Sequence, residues 1–185
     1  MNFNSHSDLA GSHAFLSASN YHWINYDDDR LIERFSTWQA AARGTALHDL
    51  AHKAINLGVK FASPGKTLTM YVNDAIGFDM ATEQTLFYSY NCFGTADAIS
   101  FKRNKLRIHD LKTGATPTSM KQLMVYAALF CLEYQQKPGT IKMELRLYKS
   151  DNIEVYVPAT EEIAYIMDKI IMFDKRIDQL KAGVL

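Results

Sequence analysis

Apolar positions along the chain recur first at helical spacing, then alternate, then switch twice more. Residues 17–26 read as a short helical turn capped by Ser17 or Ser19, with Tyr21, Trp23 and Ile24 available to pack. Over residues 30–41, Leu31, Ile32, Phe35 and Trp38 fall on one face of a predicted helix. Asp27, Asp28 and Asp29 precede it. Acidic residues there favour the positive end of the helix dipole, which accounts for the run better than a metal site does. Gly44 opens a second predicted helix over residues 45–57, stopped by Gly58. From Lys66 the pattern turns to β: Leu68, Met70 and Val72 alternate with polar positions, and residues 85–90 are β-branched and aromatic. Residues 93–101, a turn at 102–104 and residues 105–111 predict a hairpin. Residues 119–136 predict a strong helix. Residues 140–148 alternate, with Ile141, Met143, Leu145 and Leu147 on one face. A turn at Asp151-Asn152 leads into a strand over 153–157, and residues 161–180 form a charged amphipathic closing helix. This order predicts an α/β fold with a central mixed β-sheet flanked by helices, not a repeating βαβ fold.

The 185 residues suggest one domain, with a flexible terminus over residues 1–14 and a helical part over 15–58. The sheet and its helix would follow over 66–157, and the closing helix over 160–182. A chain of this length buries roughly 70% of its unfolded surface, so folding requires neither metal nor disulfide. No stretch approaches about 18 consecutive apolar residues, and the first residues lack a signal-peptide pattern. The expectation is a soluble cytoplasmic protein with no membrane contact.

Lys plus Arg is 20 and Asp plus Glu is 20. A net charge of zero excludes a polyelectrolyte binder that is basic throughout, but not a local patch. Residues 101–122 carry such a patch: Lys102, Arg103, Lys105, Arg107, Lys112 and Lys121 against the single Asp110. It suits phosphates. A solvated hairpin edge guarded by lysines would account for the charge alone. The two cysteines, Cys92 and Cys131, are too few for a four-thiolate zinc or iron–sulfur site, and their apolar neighbours predict buried free thiols.

Two motifs fail on inspection. Gly65-Lys66-Thr67 ends like a phosphate-binding P-loop, but position 60 is Lys where the motif needs Gly, and Gly58 is two residues too early. His48-Asp49-Leu50-Ala51-His52 places two imidazoles on one helix face, as a zinc protease does. Its Asp is shorter than the usual Glu base, however, and no third ligand follows on a matching turn.

The informative segment is Gly94-Thr95-Ala96-Asp97 followed by Asp110-Leu111-Lys112-Thr113-Gly114. Paired as a hairpin, the two strands could aim Asp97 and Asp110 at one point. Two carboxylates with a backbone carbonyl make a hard oxygen site suited to Mg²⁺ or Mn²⁺. Lys112, two residues beyond Asp110, shares its face and could orient a water or neutralise charge on a phosphorane-like transition state. Gln122 and Tyr126 are four apart on the following helix and share a face. His48 adds a metal-capable side chain from an earlier helix.

These residues resemble, in order, the RecB-like branch of the PD-(D/E)XK nuclease superfamily, found among phage exonucleases and CRISPR-associated nucleases. The resembling elements are His48, Gly94 with Asp97, Asp110-Leu111-Lys112-Thr113-Gly114, and Gln122 with Tyr126. Leu16-Ser17-Ala18-Ser19 with Trp23 also resembles the family's opening, so the likeness spans about residues 16–147. The resemblance implies a restriction-endonuclease-like core and metal-dependent hydrolysis of DNA. His48, Asp97 and Asp110 would ligate Mg²⁺ or Mn²⁺, with the Leu111 carbonyl helping. Lys112 would position or activate the attacking water. Gln122 and Tyr126 would steady the lysine, the metal waters or the DNA backbone. Lys102, Arg103, Lys105, Arg107 and Lys121 are then candidate DNA contacts. Some members carry an iron–sulfur cluster on four cysteines; with two, this chain is expected to have none.

A compact phage-type exonuclease serving recombination, repair or genome processing is the expectation, working in bacterial or infected-host cytoplasm. DNA would be its partner, alongside a single-strand annealing or other recombination protein. A homo-oligomeric ring would give a small enzyme processivity. The alternative from another class is a catalytically inactive DNA- or protein-binding module on the same fold.

Overall fold

The structure is a computed structural model that describes residues 14–114 and 118–183. All but the last residue of the expected flexible terminus lies outside that range. The chain falls into two compact units, one ending at Thr45 and the other beginning at Ala46.

In the first unit a 3₁₀ helix over Ala18–Asn25 is followed by the start of α1, Asp28–Asn56. Ser17 does not cap the turn through its side chain; its carbonyl accepts the Trp23 indole N–H at 2.9 Å. Tyr21 and Ile24, expected to pack, are exposed. Phe15, Phe35 and Trp38 form a ring cluster with centroids 5.3–5.8 Å apart. Asp27 accepts the Arg30 N–H at 2.8 Å, so the acidic run serves the helix N-terminus as expected.

The sequence pattern predicts two helices broken at Gly44; the structure has one, running through it. A glycine inside a helix costs only about 1 kcal/mol, and Ala40, Ala41, Ala42 and Ala46 around it are strong helix formers.

The second unit is built on a five-stranded sheet in the order β1 (Ala81–Ser89), β2 (Cys92–Lys102), β3 (Lys105–Leu111), β4 (Lys142–Lys149) and β5 (Asn152–Tyr156). All neighbours are antiparallel except β3 and β4, which run parallel. Between those two strands the chain passes through α3 (Lys121–Glu133). α2 (Thr67–Gly77) precedes the sheet, and α4 (Thr160–Lys181) closes the chain. The mixed sheet flanked by helices is the predicted class. Two hairpins close through two-residue turns, Arg103-Asn104 and Ser150-Asp151, whose four residues all have positive φ, the geometry that matches strand twist.

One expectation fails outright. Residues 67–72 are helical, not extended, and Lys66 is the extended residue that precedes the helix. Leu68, Met70 and Val72 alternate by coincidence, whereas the buried set Thr69, Tyr71, Val72 and Ala75 has helical spacing. At Thr67 the P-loop-like tripeptide does open a helix, but Asp151 occupies its N-terminus, accepting the Thr67 N–H at 2.9 Å and pairing with Lys66 at 2.8 Å.

Two apolar clusters cover the sheet. On one side Leu86, Ala96, Ile99, Leu106, Ile108 and Leu145 pack with α3 and α4. On the other, Ala98, Leu111 and Tyr148 pack with α2 and the second half of α1. Ala96 and Ala98 are two apart yet lie in different clusters. Strand alternation would give them one face, so it breaks at Asp97 between them. Cys131 is buried as expected, and burial pushes its thiol up to about 11; Cys92 is only half-buried. No helix among the described residues is long and apolar enough to cross a membrane.

Candidate metal centre and active site

The C-terminal end of β3 collects the residues the sequence singles out. Asp97 in β2 accepts the backbone N–H of Leu111 through Oδ2 at 2.9 Å. The same oxygen lies 3.6 Å from His48 Nδ1 on α1. Asp110, at the end of β3, is 1% exposed. Lys112 Nζ sits 3.1 Å from its Oδ1 and 3.0 Å from its Oδ2. That ion pair still leaves Oδ2 without a hydrogen bond. Burial pushes the Asp110 carboxyl up to about 6, and the Asp97 charge adds to the rise, while Lys112 and His48 oppose it.

Beyond β3, Lys112 Nζ also donates to Gln122 Oε1 at 3.0 Å, and Gln122 Nε2 donates to the Tyr126 hydroxyl at 3.0 Å. The i, i+4 spacing on α3 therefore forms a relay that ends on the ammonium. Gly94 makes room for it. A Cβ there would stand 3.0 Å from Tyr126 Cε1. His48, Leu111, Lys112, Thr113, Gly114, Thr118, Ser119 and Gln122 line a cleft of about 400 Å³.

Glu83 is the residue that sequence reasoning missed. Ligand atoms of His48, Glu83 and Asp97 all lie within 4.8 Å of one another. Thr82 pairs with Ala98 and Gln84 with Ala96, which leaves Glu83 opposite Asp97. The only available signal was indirect. A strand read from Ala81 rather than from residue 85 would have put a carboxylate across from Asp97.

His48, Glu83 and Asp97 offer one imidazole and two carboxylates, a set that fits a hard divalent cation. Asp110, buried at the end of β3, adds an oxygen that makes no hydrogen bond although it lies 3.0 Å from Lys112 Nζ. Tyr71, buried in α2, feels the same charges. Burial, with Asp97, Glu83 and Asp110, pushes its hydroxyl well above the usual range. His52, by contrast, takes no part in the cluster. Its Nδ1 lies 2.6 Å from Thr82 Oγ1 and its Nε2 lies 3.1 Å from Asn56 Nδ2. The two-histidine zinc reading fails because both its nitrogens are engaged.

Of the basic residues, Lys102, Lys105 and Arg107 are paired with carboxylates. Lys102 pairs with Asp79. Lys105 and Arg107 pair with Glu144 of β4 at 2.5 and 3.4 Å, and Arg107 also stacks 4.4 Å over Phe78. Arg103 sits in the β2–β3 turn, at the end of the hairpin remote from Asp110. Lys105 is five residues from Asp110, about 17 Å of strand. Lys121 starts α3 and donates its backbone N–H to Ser119 Oγ at 3.2 Å.

Comparison of the chain with protein-family models, curated proteins and solved structures returns no match.

Proposed function

We propose that the protein is a divalent-metal-dependent DNA nuclease, acting most simply as an exonuclease. The observation that carries this reading is one juxtaposition. A buried carboxylate, Asp110, holds the ammonium of Lys112 within 3.1 Å, beside the His48–Glu83–Asp97 cluster and at the rim of an open cleft.

His48, Asp97 and Asp110, with the Leu111 carbonyl, would hold Mg²⁺ or Mn²⁺. Such an ion, when bound, supplies Lewis acidity toward a phosphoryl oxygen and lowers the pKa of water. The remaining work belongs to the chain. Lys112 would donate to the attacking water or to a non-bridging phosphate oxygen. Gln122 Oε1 accepts a hydrogen bond from it, so the ammonium is held by a neutral partner as well as by Asp110. Tyr126, through Gln122, fixes that amide. Thr113, Thr118 and Ser119 line the cleft and offer hydroxyls to a phosphate backbone.

The test is degradation of end-labelled linear and circular DNA, single- and double-stranded, with Mn²⁺, Mg²⁺ or EDTA. Loss of linear DNA that needs metal and spares circles is expected. Cutting of circles would make the protein an endonuclease. DNA binding without cleavage under any metal would replace this function with the binding module.

A further inference from the structure

Glu83 departs from extended backbone at φ. It stands inside β1 with φ +52, a left-handed conformation that residues bearing a side chain seldom adopt. The register does not slip there, since Thr82 and Gln84 keep their partners Ala98 and Ala96. What changes is direction. Thr82 reaches His52 and Glu83 reaches toward His48, both on α1, although successive strand residues ordinarily point to opposite faces.

The residue that precedes Glu83 is gripped by a closed ring of hydrogen bonds. The Thr82 hydroxyl donates to Asn56 Oδ1 at 3.3 Å. Having one proton, Thr82 Oγ1 must then accept from His52 Nδ1–H at 2.6 Å. Asn56 Nδ2 donates to the remaining lone pair, on His52 Nε2, at 3.1 Å. Each donor meets one acceptor when the ring proton of His52 sits on Nδ1. Its i, i+4 partner Asn56 is the last residue of α1, so the helix end clamps β1 one residue short of Glu83.

A group of ligand-type side chains is not by itself a site, but Asp110 supplies an independent pointer. It is 1% exposed, and its Oδ2, 3.0 Å from Lys112 Nζ, makes no hydrogen bond. Glu83, Asp97 and Asp110 set against Lys112 leave an excess of about two negative charges, which a divalent cation matches.

The geometry assigns Glu83 as a protein ligand of the divalent cation beside His48 and Asp97, with His52, Thr82 and Asn56 as positioning residues that hold it there. This assignment rests on the metal site proposed above but not on DNA hydrolysis. It adds a ligand from β1 to a set otherwise drawn from α1, β2 and β3.

The experiment is Mn²⁺ binding to the full chain, by calorimetric titration and by the electron paramagnetic resonance signal of free Mn²⁺, with thermal melts of each metal-free variant. Glu83→Gln should weaken Mn²⁺ at least tenfold. Thr82→Val should weaken it about tenfold, and Thr82→Ser, which keeps the hydroxyl, should restore it. Glu83→Gly should move two readouts in opposite directions. The metal-free melting temperature should rise by a few degrees as the left-handed position is relieved, while Mn²⁺ affinity falls. If Asp97→Asn abolishes binding but Glu83→Gln and Glu83→Gly bind within twofold of the wild type, the metal site stands and the Glu83 assignment is overturned. If the wild type binds no Mn²⁺, the metal site and this inference fall together.

Discussion

Tyr126 lies directly against Gly94, so near that a Cβ at that position would stand 3.0 Å from Tyr126 Cε1. The contact ties a glycine of β2 to the relay that ends on Lys112. Gly94→Ala should push the ring by a few tenths of an ångström and disturb the Gln122–Lys112 bond. The fold should survive, since the ring is only half-buried and can give way. Turnover should fall roughly tenfold, with the melting temperature nearly unchanged, as checked by single-turnover cleavage and thermal melts. Turnover at the wild-type rate would show that the relay does not set the position of Lys112.

Asp110 should destabilise the metal-free protein at neutral pH. Its carboxyl is raised from the usual 3.8 to about 6, chiefly by burial. The folded state therefore binds its proton more tightly than the unfolded chain does. That contribution is complete below about pH 4 and is lost as pH rises through 6. Asp110→Asn should stabilise the metal-free protein by about 3 kcal/mol at pH 7.5, less what Lys112 loses, with the gain fading toward pH 4. Urea melts at the two pH values check this. Activity should vanish in the same variant, which separates a functional cost from a structural one.

His109 titrates in the opposite sense. It is fully buried in β3, where burial, then Arg146 and Arg107, pull its imidazole down to about 3. The Tyr148 hydroxyl lies 3.2 Å from its Nδ1, and Phe78 packs on its ring at 5.7 Å. The unfolded chain takes up this proton near pH 6.5 and the folded one does not. Stability contributed by the neutral ring is thus present above pH 6.5 and is lost progressively toward pH 3. His109→Gln should flatten the acid limb of the stability–pH curve, measured by urea unfolding at pH 7, 5 and 4.

Glu144 gathers the cations that the sequence offers to DNA. It accepts from Lys105 at 2.5 Å and from Arg146 at 2.9 and 3.0 Å, and it pairs with Arg107 at 3.4 Å. Burial raises its carboxyl, but these cations outweigh that and hold it below the usual range. Lys105→Ala should therefore change DNA affinity little. Glu144→Gln should release positive charge, tighten DNA binding and steepen its salt dependence by one to three charges' worth, on the order of 1–3 in log–log slope. It should also cost about 3 kcal/mol of stability, because charges are left unpaired. Filter binding across a salt series reads the first effect and thermal melts the second.

What was legible in the sequence is what is local. The β2–β3 hairpin shows in its pattern and turn, and the i, i+4 spacing of Gln122 and Tyr126 places both on one face of α3. His48 was legible as a helical residue and reaches Asp97 as required. The rest depends on partners far along the chain. Lys105 looks free until Glu144, thirty-nine positions later, is brought beside it in the parallel neighbour strand. Leu68, Met70 and Val72 fit a strand and a helix equally well until burial decides. Glu83 escaped notice because left-handed backbone inside a strand has no signature in residue type, and because β1 begins four residues before its β-branched and aromatic run.

In the proposed function Lys112, held by Asp110 and Gln122, would act on a phosphodiester at a metal-bearing cleft. The most direct measurement compares wild type and Lys112→Ala for Mn²⁺-dependent cleavage of end-labelled DNA, with Mn²⁺ affinity and DNA binding measured on both. The account requires cleavage by the wild type that EDTA abolishes, and a loss of at least about a hundredfold in Lys112→Ala with metal and DNA still bound. Equal cleavage by the two proteins would contradict it.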